Sequence, residues 1–160
     1  MKIRLVALPP LVMLALMTGF FFAFSVCVMP GLDQVAPGSA IAAMQGINEA
    51  VRNPVFFVTF FLTPAIALVA AIALWIGGNR RVAVGMMVAA LVYLVGVIVP
   101  TASINVPMNN ALALINPAGS EAASIWMEYS ERWTFWNTAR TFSNLLAFAI
   151  AAIAPVMTLR

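Results

Sequence analysis

The sequence has no histidine, one cysteine, and only eight basic and five acidic side chains in 160 residues. Without histidine, a His general base, a Ser-His-Asp triad and a Cys-His dyad are excluded. The common zinc and haem sites also lose their usual ligand, and no metal site is expected. Cys27 alone can form neither an intramolecular disulfide nor a CxxC redox pair, and it reads as a small buried hydrophobe. Charged residues are 8% of the chain and hydrophobic residues 64%, against about 25% and about 45–50% in soluble domains. With a mean hydropathy of +1.03, a soluble globule of this size could not hide its apolar surface. Soluble, disordered and disulfide-framework readings are therefore excluded, and an integral membrane protein remains. The net charge of +3 does not imply nucleic acid as a partner, because the basic residues form no patch. In a membrane protein a small basic excess reports topology instead.

The gaps between charges draw the map. Nothing is charged from Arg4 to Asp33, Arg52 to Arg80, Arg81 to Glu121, or Arg140 to Arg160. A spanning helix needs about 20 apolar residues, and lipid forces backbone groups to pair within the segment. Four helical spans are expected, at 5–29, 55–77, 82–104 and 138–158, with outer segments 30–54 and 105–137, in one domain covering 1–160. The fold class is all-α: a polytopic membrane protein, a four-transmembrane-helix bundle with outer amphipathic helical segments. The first run is too long for a signal h-region and ends without an A-x-A site, so it is expected to be a true span. Lys2, Arg4, Arg80, Arg81 and Arg160 then share one side, which should be cytoplasmic with both termini. The expected location is a bacterial inner membrane. Lipid is the expected neighbour, and a homo-oligomer is compatible with the sequence.

In the first outer segment, Ser39 could cap a helix at 40–52 carrying Gln45, Asn48, Glu49 and Arg52 on one face and Ile41, Met44, Ile47 and Val51 on the other. Asn53-Pro54 stops it. In the second, 116–120 reads as a turn, after which a helix starting at Ser120 or Glu121 runs into the last span. Trp126, Tyr129, Trp133 and Trp136 fit an interfacial aromatic belt there. Gly19, Gly85 and Gly96 are expected to permit close helix packing. The ten methionines are dispersed and read as gap-fillers.

Three constellations could carry chemistry. Asn105 and Asn109 share a helical face beside Pro107. Neutral amides near membrane depth could hold ligand oxygens, or they could tie a broken helix to a neighbour. Tyr129, Trp133, Trp136, Asn137 and Arg140 recur at helical spacing. Arg140 opens an apolar run, where a charge needs a partner or water. Glu128, Glu131, Glu49 or an anionic ligand could serve, or Arg140 could snorkel to the interface. Gln45 and Asn48 could point inward over the bundle mouth, or form a solvated face.

Ala43-Met44-Gln45-x-Ile47-Asn48, Asn53-Pro54, Asn105-Val106-Pro107-Met108-Asn109 and Trp133-x-x-Trp136-Asn137-x-x-Arg140-Thr141 stand in this order along nearly the whole chain. Together they resemble DUF1772, the anthrone oxygenase-like family of small four-helix membrane proteins. The resemblance implies oxidation of an anthrone to an anthraquinone by O₂ with no cofactor, neither metal nor flavin. On that reading the catalytic residues are Arg140, Asn105, Asn109 and Glu131. Arg140 stabilises an enolate, the two amides hold oxygens, and Glu131, Glu128 or Glu49 is the base. Trp133, Trp136, Asn137, Gln45, Asn48 and Tyr129 would line the site for a lipophilic aromatic small molecule. Family members often carry His within Trp-Asn-His-x-Arg-Thr, where this chain has Thr138. The alternative is a non-catalytic membrane module that binds a lipid or quinone-like ligand or partners another membrane protein.

Overall fold

A computed structural model of the chain describes residues 3–156, apart from the side chain of Arg4. Lys2 and Arg160, two of the charges used to orient the spans, lie outside the described residues. Five helices and no strand occur among them: α1 (Leu5–Leu32), α2 (Pro37–Ala50), α3 (Pro54–Ile76), α4 (Arg80–Ala113) and α5 (Ala122–Val156). All but α2 are long and apolar enough to cross a membrane. Leu5, Val12, Leu16, Phe22, Val69, Ile72 and Val95 lie exposed on their outer faces, as side chains meeting lipid should. The protein is an integral membrane protein with a four-helix bundle at its centre.

The helices form a ring in which α1 packs on α3 and α5, and α4 packs on α3 and α5. The α3–α4 hairpin turns through Gly77-Gly78-Asn79. Gly78 there has φ +81°, a left-handed conformation that costs glycine little. Leu14, Met17, Phe21, Leu74, Met86, Tyr93 and Val97 fill the core. Of the three packing glycines expected, two qualify. A Cβ on Gly85 would stand 2.5 Å from Ala154 Cβ, and one on Gly96 would stand 2.5 Å from Ser143 Cβ, so α4 lies tight on α5. Gly19 faces open space and plays no such part. Cys27 is exposed rather than buried.

Two spans run on well past the length a membrane needs. At 1.5 Å per residue, α4 with 34 residues and α5 with 35 each reach roughly 50 Å, well beyond the ~30 Å hydrocarbon core. The segment 105–137 is mostly helix, broken around 114–121 where the turn was expected, and α5 begins at Ala122, beside the expected start at Ser120 or Glu121. The ends of α1, α4 and α5 project together, and α2 lies across them. Met29, Ala40, Ile41, Met44, Leu112, Trp126, Tyr129 and Trp133 make a second apolar cluster there. Asp33 Oδ1 accepts from Trp126 Nε1 at 3.0 Å and Ser130 Oγ at 2.7 Å, fastening α1 to α5. The start of α2 is Pro37, not Ser39. Asn53 does cap α3, its side chain accepting from the Phe56 N–H at 3.0 Å.

Proline positions explain the irregular backbone. Proline has no N–H for the carbonyl four residues back, and its ring crowds that carbonyl. Wide π-helical turns cover Phe24–Val28, Leu94–Ile98 and Thr101–Asn105. Each ends two residues before a proline: Pro30, Pro100 and Pro107. Widening the turn relieves the clash and breaks the regular i→i−4 ladder. Pro64 in α3 uses another device. The Tyr93 hydroxyl donates to the Phe60 carbonyl at 3.0 Å, the very carbonyl that Pro64 cannot serve.

Gly96→Ala should cost about 1–3 kcal/mol through overpacking against Ser143, whereas Gly19→Ala should stay within about 0.5 kcal/mol of wild type. Melting of both variants in mild detergent checks the contrast.

Candidate functional site

A cavity of about 430 Å³ opens within the half of the bundle that α2 covers. That is a usual size for a small-molecule pocket, at roughly 300–1,000 Å³. One wall is aromatic: Phe20, Phe21 and Phe24 from α1, Phe56 and Phe60 from α3, and Trp133 from α5. The other is polar: Asn48, Thr101, Asn105, Asn109, Asn137 and Arg140. Thr101, Asn105 and Asn109 follow one another at intervals of four along α4. Trp133, Asn137 and Arg140 keep intervals of three and four along α5. Helical spacing therefore aims both triplets inward.

Arg140 is the centre of the polar wall. It is only 4% exposed. Its two terminal nitrogens donate to Thr101 Oγ1 at 2.9 Å and to Asn137 Oδ1 at 3.0 Å. Its guanidinium lies over the Phe21 ring at 4.9 Å and the Trp133 ring at 5.5 Å. Its Nε is buried with no partner. Among the described residues no carboxylate pairs with it, since the one ion pair present joins Arg52 to Glu49 at the surface. A buried cation is ordinarily paired with an anion. This one is held by neutral dipoles and ring faces.

The amides around it are ordered. Both hydrogens of Asn137 Nδ2 are used, on the Phe21 carbonyl and Ser25 Oγ, each at 2.8 Å, which turns Oδ1 toward Arg140. Asn109 Oδ1 accepts from the Tyr129 hydroxyl and from Trp133 Nε1, both at 2.9 Å. Asn48 donates to the same hydroxyl at 3.5 Å, a contact at the limit of hydrogen-bonding distance. Asn105 is 1% exposed. Its Nδ2 reaches the Trp133 carbonyl at 3.4 Å, while its Oδ1 is buried and unpartnered. Asn144, one turn below Arg140, also keeps an unpartnered Oδ1.

The expected site residues thus divide. Arg140, Asn105, Asn109, Trp133, Asn137 and Asn48 meet at the cavity. Tyr129 stands just behind it, reaching it through Asn109. Gln45 does not take part. It donates to the carbonyls of Leu112 at 2.8 Å and Ile115 at 2.9 Å, closing the end of α4. Trp136 is off the cavity wall, edge-on to Phe135. Glu131 lies in a separate open groove beside Asp33 and Phe135, and Glu128 and Glu49 are exposed. No carboxylate lines the cavity, so the expected base and the expected carboxylate partner of Arg140 are both missing from it. Glu131 stands two residues before Trp133, about 200° around the helix, which carries it to the other face of α5. Thr138 also faces that groove, 3.0 Å from Ser25 Oγ.

Sequence reading did not select Thr101, Phe21 or Phe60. Thr101 carried a usable signal, being four residues before Asn105. The phenylalanines carried none, because nothing in an apolar run tells a cavity wall from a lipid face.

A family model described as anthrone oxygenase matches residues 55–150. The matched stretch runs from α3 to late α5 and includes Thr101, Asn105, Asn109, Trp133, Asn137 and Arg140. No curated protein and no solved structure matches the chain.

Asn109→Leu should orphan two donors, at about 1–3 kcal/mol each, whereas Tyr129→Phe should cost about 1 kcal/mol. Thermal melting of the two variants should keep that order; equal losses would mean that Asn109 does not bridge the two donors.

Proposed function

This chain belongs to the anthrone oxygenase family, and on that premise we propose that its cavity binds a lipophilic aromatic molecule as an oxyanion. The carrying observation is Arg140, a buried cation facing the cavity with no carboxylate partner. An enolate or phenolate oxygen would complete it with charge-assisted hydrogen bonds. Phe21, Phe56 and Trp133 would hold the ring faces, and Asn105 and Asn109 would meet further oxygens.

The family's reaction takes O₂ as the oxidant. The CH₂ of an anthrone becomes a carbonyl; one oxygen atom stays on that carbon and the other leaves as water with the two hydrogens. This chain's share is to favour the enolate over the neutral ketone, because the Arg140 charge stabilises developing negative charge in a site shielded from bulk water. The proton has no side-chain acceptor on the cavity wall and passes to water at the polar rim near Arg52 and Asn110. The same lack of a base on the cavity wall supports a second reading: a module that binds such a ligand without oxidising it. In either case the Arg80–Arg81 hairpin faces the cytoplasm of a bacterial inner membrane, and the cavity lies in the outer half.

Arg140→Gln should weaken binding of anthracene-9-carboxylate by about 10- to 100-fold, the worth of one charge-assisted hydrogen bond. It should not lower the melting temperature of the ligand-free protein, because it removes an uncompensated buried charge. Equal affinity in both proteins would refute the reading. Oxygen uptake with anthrone by wild type but not by Arg140→Gln would select the oxygenase; binding without uptake would select the module.

A further inference from the structure

We propose that the cavity takes its ligand from the bilayer, through a lateral opening between α3 and α4. This rests on the cavity being a ligand site, as argued above, and adds the route by which the ligand arrives.

The opening follows from the backbone. α3 packs along α4 chiefly through Arg80–Tyr93, where the Tyr93 hydroxyl donates to the Phe60 carbonyl. Beyond it come two π-helical turns, over Leu94–Ile98 and Thr101–Asn105, with Pro100 and Pro107. Those turns keep α4 against α5 while α3 runs on without it. The gap so formed is edged by Phe57, Phe61 and Val106, which belong to the cavity wall and yet are 43%, 55% and 41% exposed. A side chain that both lines a cavity and faces outward marks its mouth. All three are apolar.

The depth of that mouth fixes what it opens to. With 23 residues, α3 is about 35 Å long, only a little more than the ~30 Å hydrocarbon core. Phe57 and Phe61 fall in its first turns, at the level of the outer leaflet's acyl chains. At the water-facing end the cavity has a polar rim, where Arg52 and Asn110 line it and are exposed as well. Arg52 donates to Asn110 Oδ1 at 3.1 Å, joining the start of α3 to α4 across the top, and Ile47, Asn48 and Val51 of α2 and its end lie beside it. A ligand with an aromatic body would dissolve in the leaflet, pass between Phe61 and Val106, and present its oxyanion to Arg140. Neutral transit with ionisation inside avoids carrying a charge through hydrocarbon.

The test uses wild-type protein in phosphatidylcholine nanodiscs and the emission of 2-naphthol, a phenol that is neutral in the leaflet, followed by stopped flow. Val106→Trp narrows the mouth without touching Arg140. Both association and dissociation should slow by roughly tenfold or more, while their ratio moves by less than about threefold. Phe57→Trp, also on the lipid face, should do the same if Val106→Trp does not fold. Unchanged rates in a folded variant would overturn the lateral route. So would faster exchange in the Arg52→Ala, Asn110→Ala double variant with no effect of Val106→Trp, which would show access from water. Absence of saturable binding by wild type would instead defeat the ligand site itself.

Discussion

A guanidinium enclosed in an apolar bundle without a carboxylate is the constraint around which the α2-covered half of this protein is arranged. Isolated charges in a low-dielectric interior are costly. Arg140 is made tolerable by Thr101, by Asn137 and by the faces of Phe21 and Trp133. Each of these is fixed in turn. Asn137 is oriented because α1 and Ser25 occupy its amide hydrogens. Trp133 is fixed because Asn109 takes its indole N–H. Thr101 reaches Arg140 from a widened turn of α4. Neutral groups lower the cost of the charge without cancelling it, and on the proposed reading this is what would give the cavity its affinity for anions. A carboxylate beside Arg140 would satisfy the charge and repel the ligand together.

The space for a ligand comes from proline. Straight helices with ridges in grooves would close the bundle along its length. Here Pro30, Pro100 and Pro107 each follow a widened turn, two of them in α4, and those turns are where Ser25, Thr101 and Asn105 reach inward. Glycines hold the opposite half shut: Gly85 and Gly96 keep α4 on α5. The chain thus divides into a close-packed half near the α3–α4 hairpin and an open half under α2. The opening lies between α3 and α4, where α4 turns away beyond Tyr93.

Much of this was legible in the sequence, and the boundary of legibility has a physical cause. Four charge-free stretches named the four spans, since only a helix with internal hydrogen bonds can carry such a run through lipid. Arg140, Asn137 and Trp133 could be placed on one face from helical spacing alone. The start of α5 was legible too, expected at Ser120 or Glu121 and found at Ala122. The length of α4 was not: the polar run Asn105–Asn110 looks like the end of a span when spans are counted by apolarity, yet a helix continues wherever partners cover it. Here α2 and the start of α5 provide the cover. The role of Gln45 was hidden for a related reason. A buried amide serves a ligand or a helix end equally well, and which it does depends on where Leu112 and Ile115 finish α4. Glu131 was one of three carboxylates available as a base, and its helical phase, about 200° from Trp133, places it in another groove.

The bilayer explains why so open an arrangement is stable. In water, a gap edged by Phe57, Phe61 and Val106 would be driven shut by the hydrophobic effect. In lipid there is no such drive between helices, because acyl chains are as apolar as the side chains they meet. The cost of keeping α3 off α4 is then only the packing lost there, and lipid or ligand can restore it. The polar wall has no such freedom. Asn105, Asn137 and Arg140 are sealed on the α4–α5 side, where every irregular turn is backed by protein. The buried amides and Arg140 therefore sit on the closed side of the cavity with Phe21 and Trp133, while Phe57 and Phe61 edge the open side. That division is the one a molecule with an apolar body and one anionic oxygen requires.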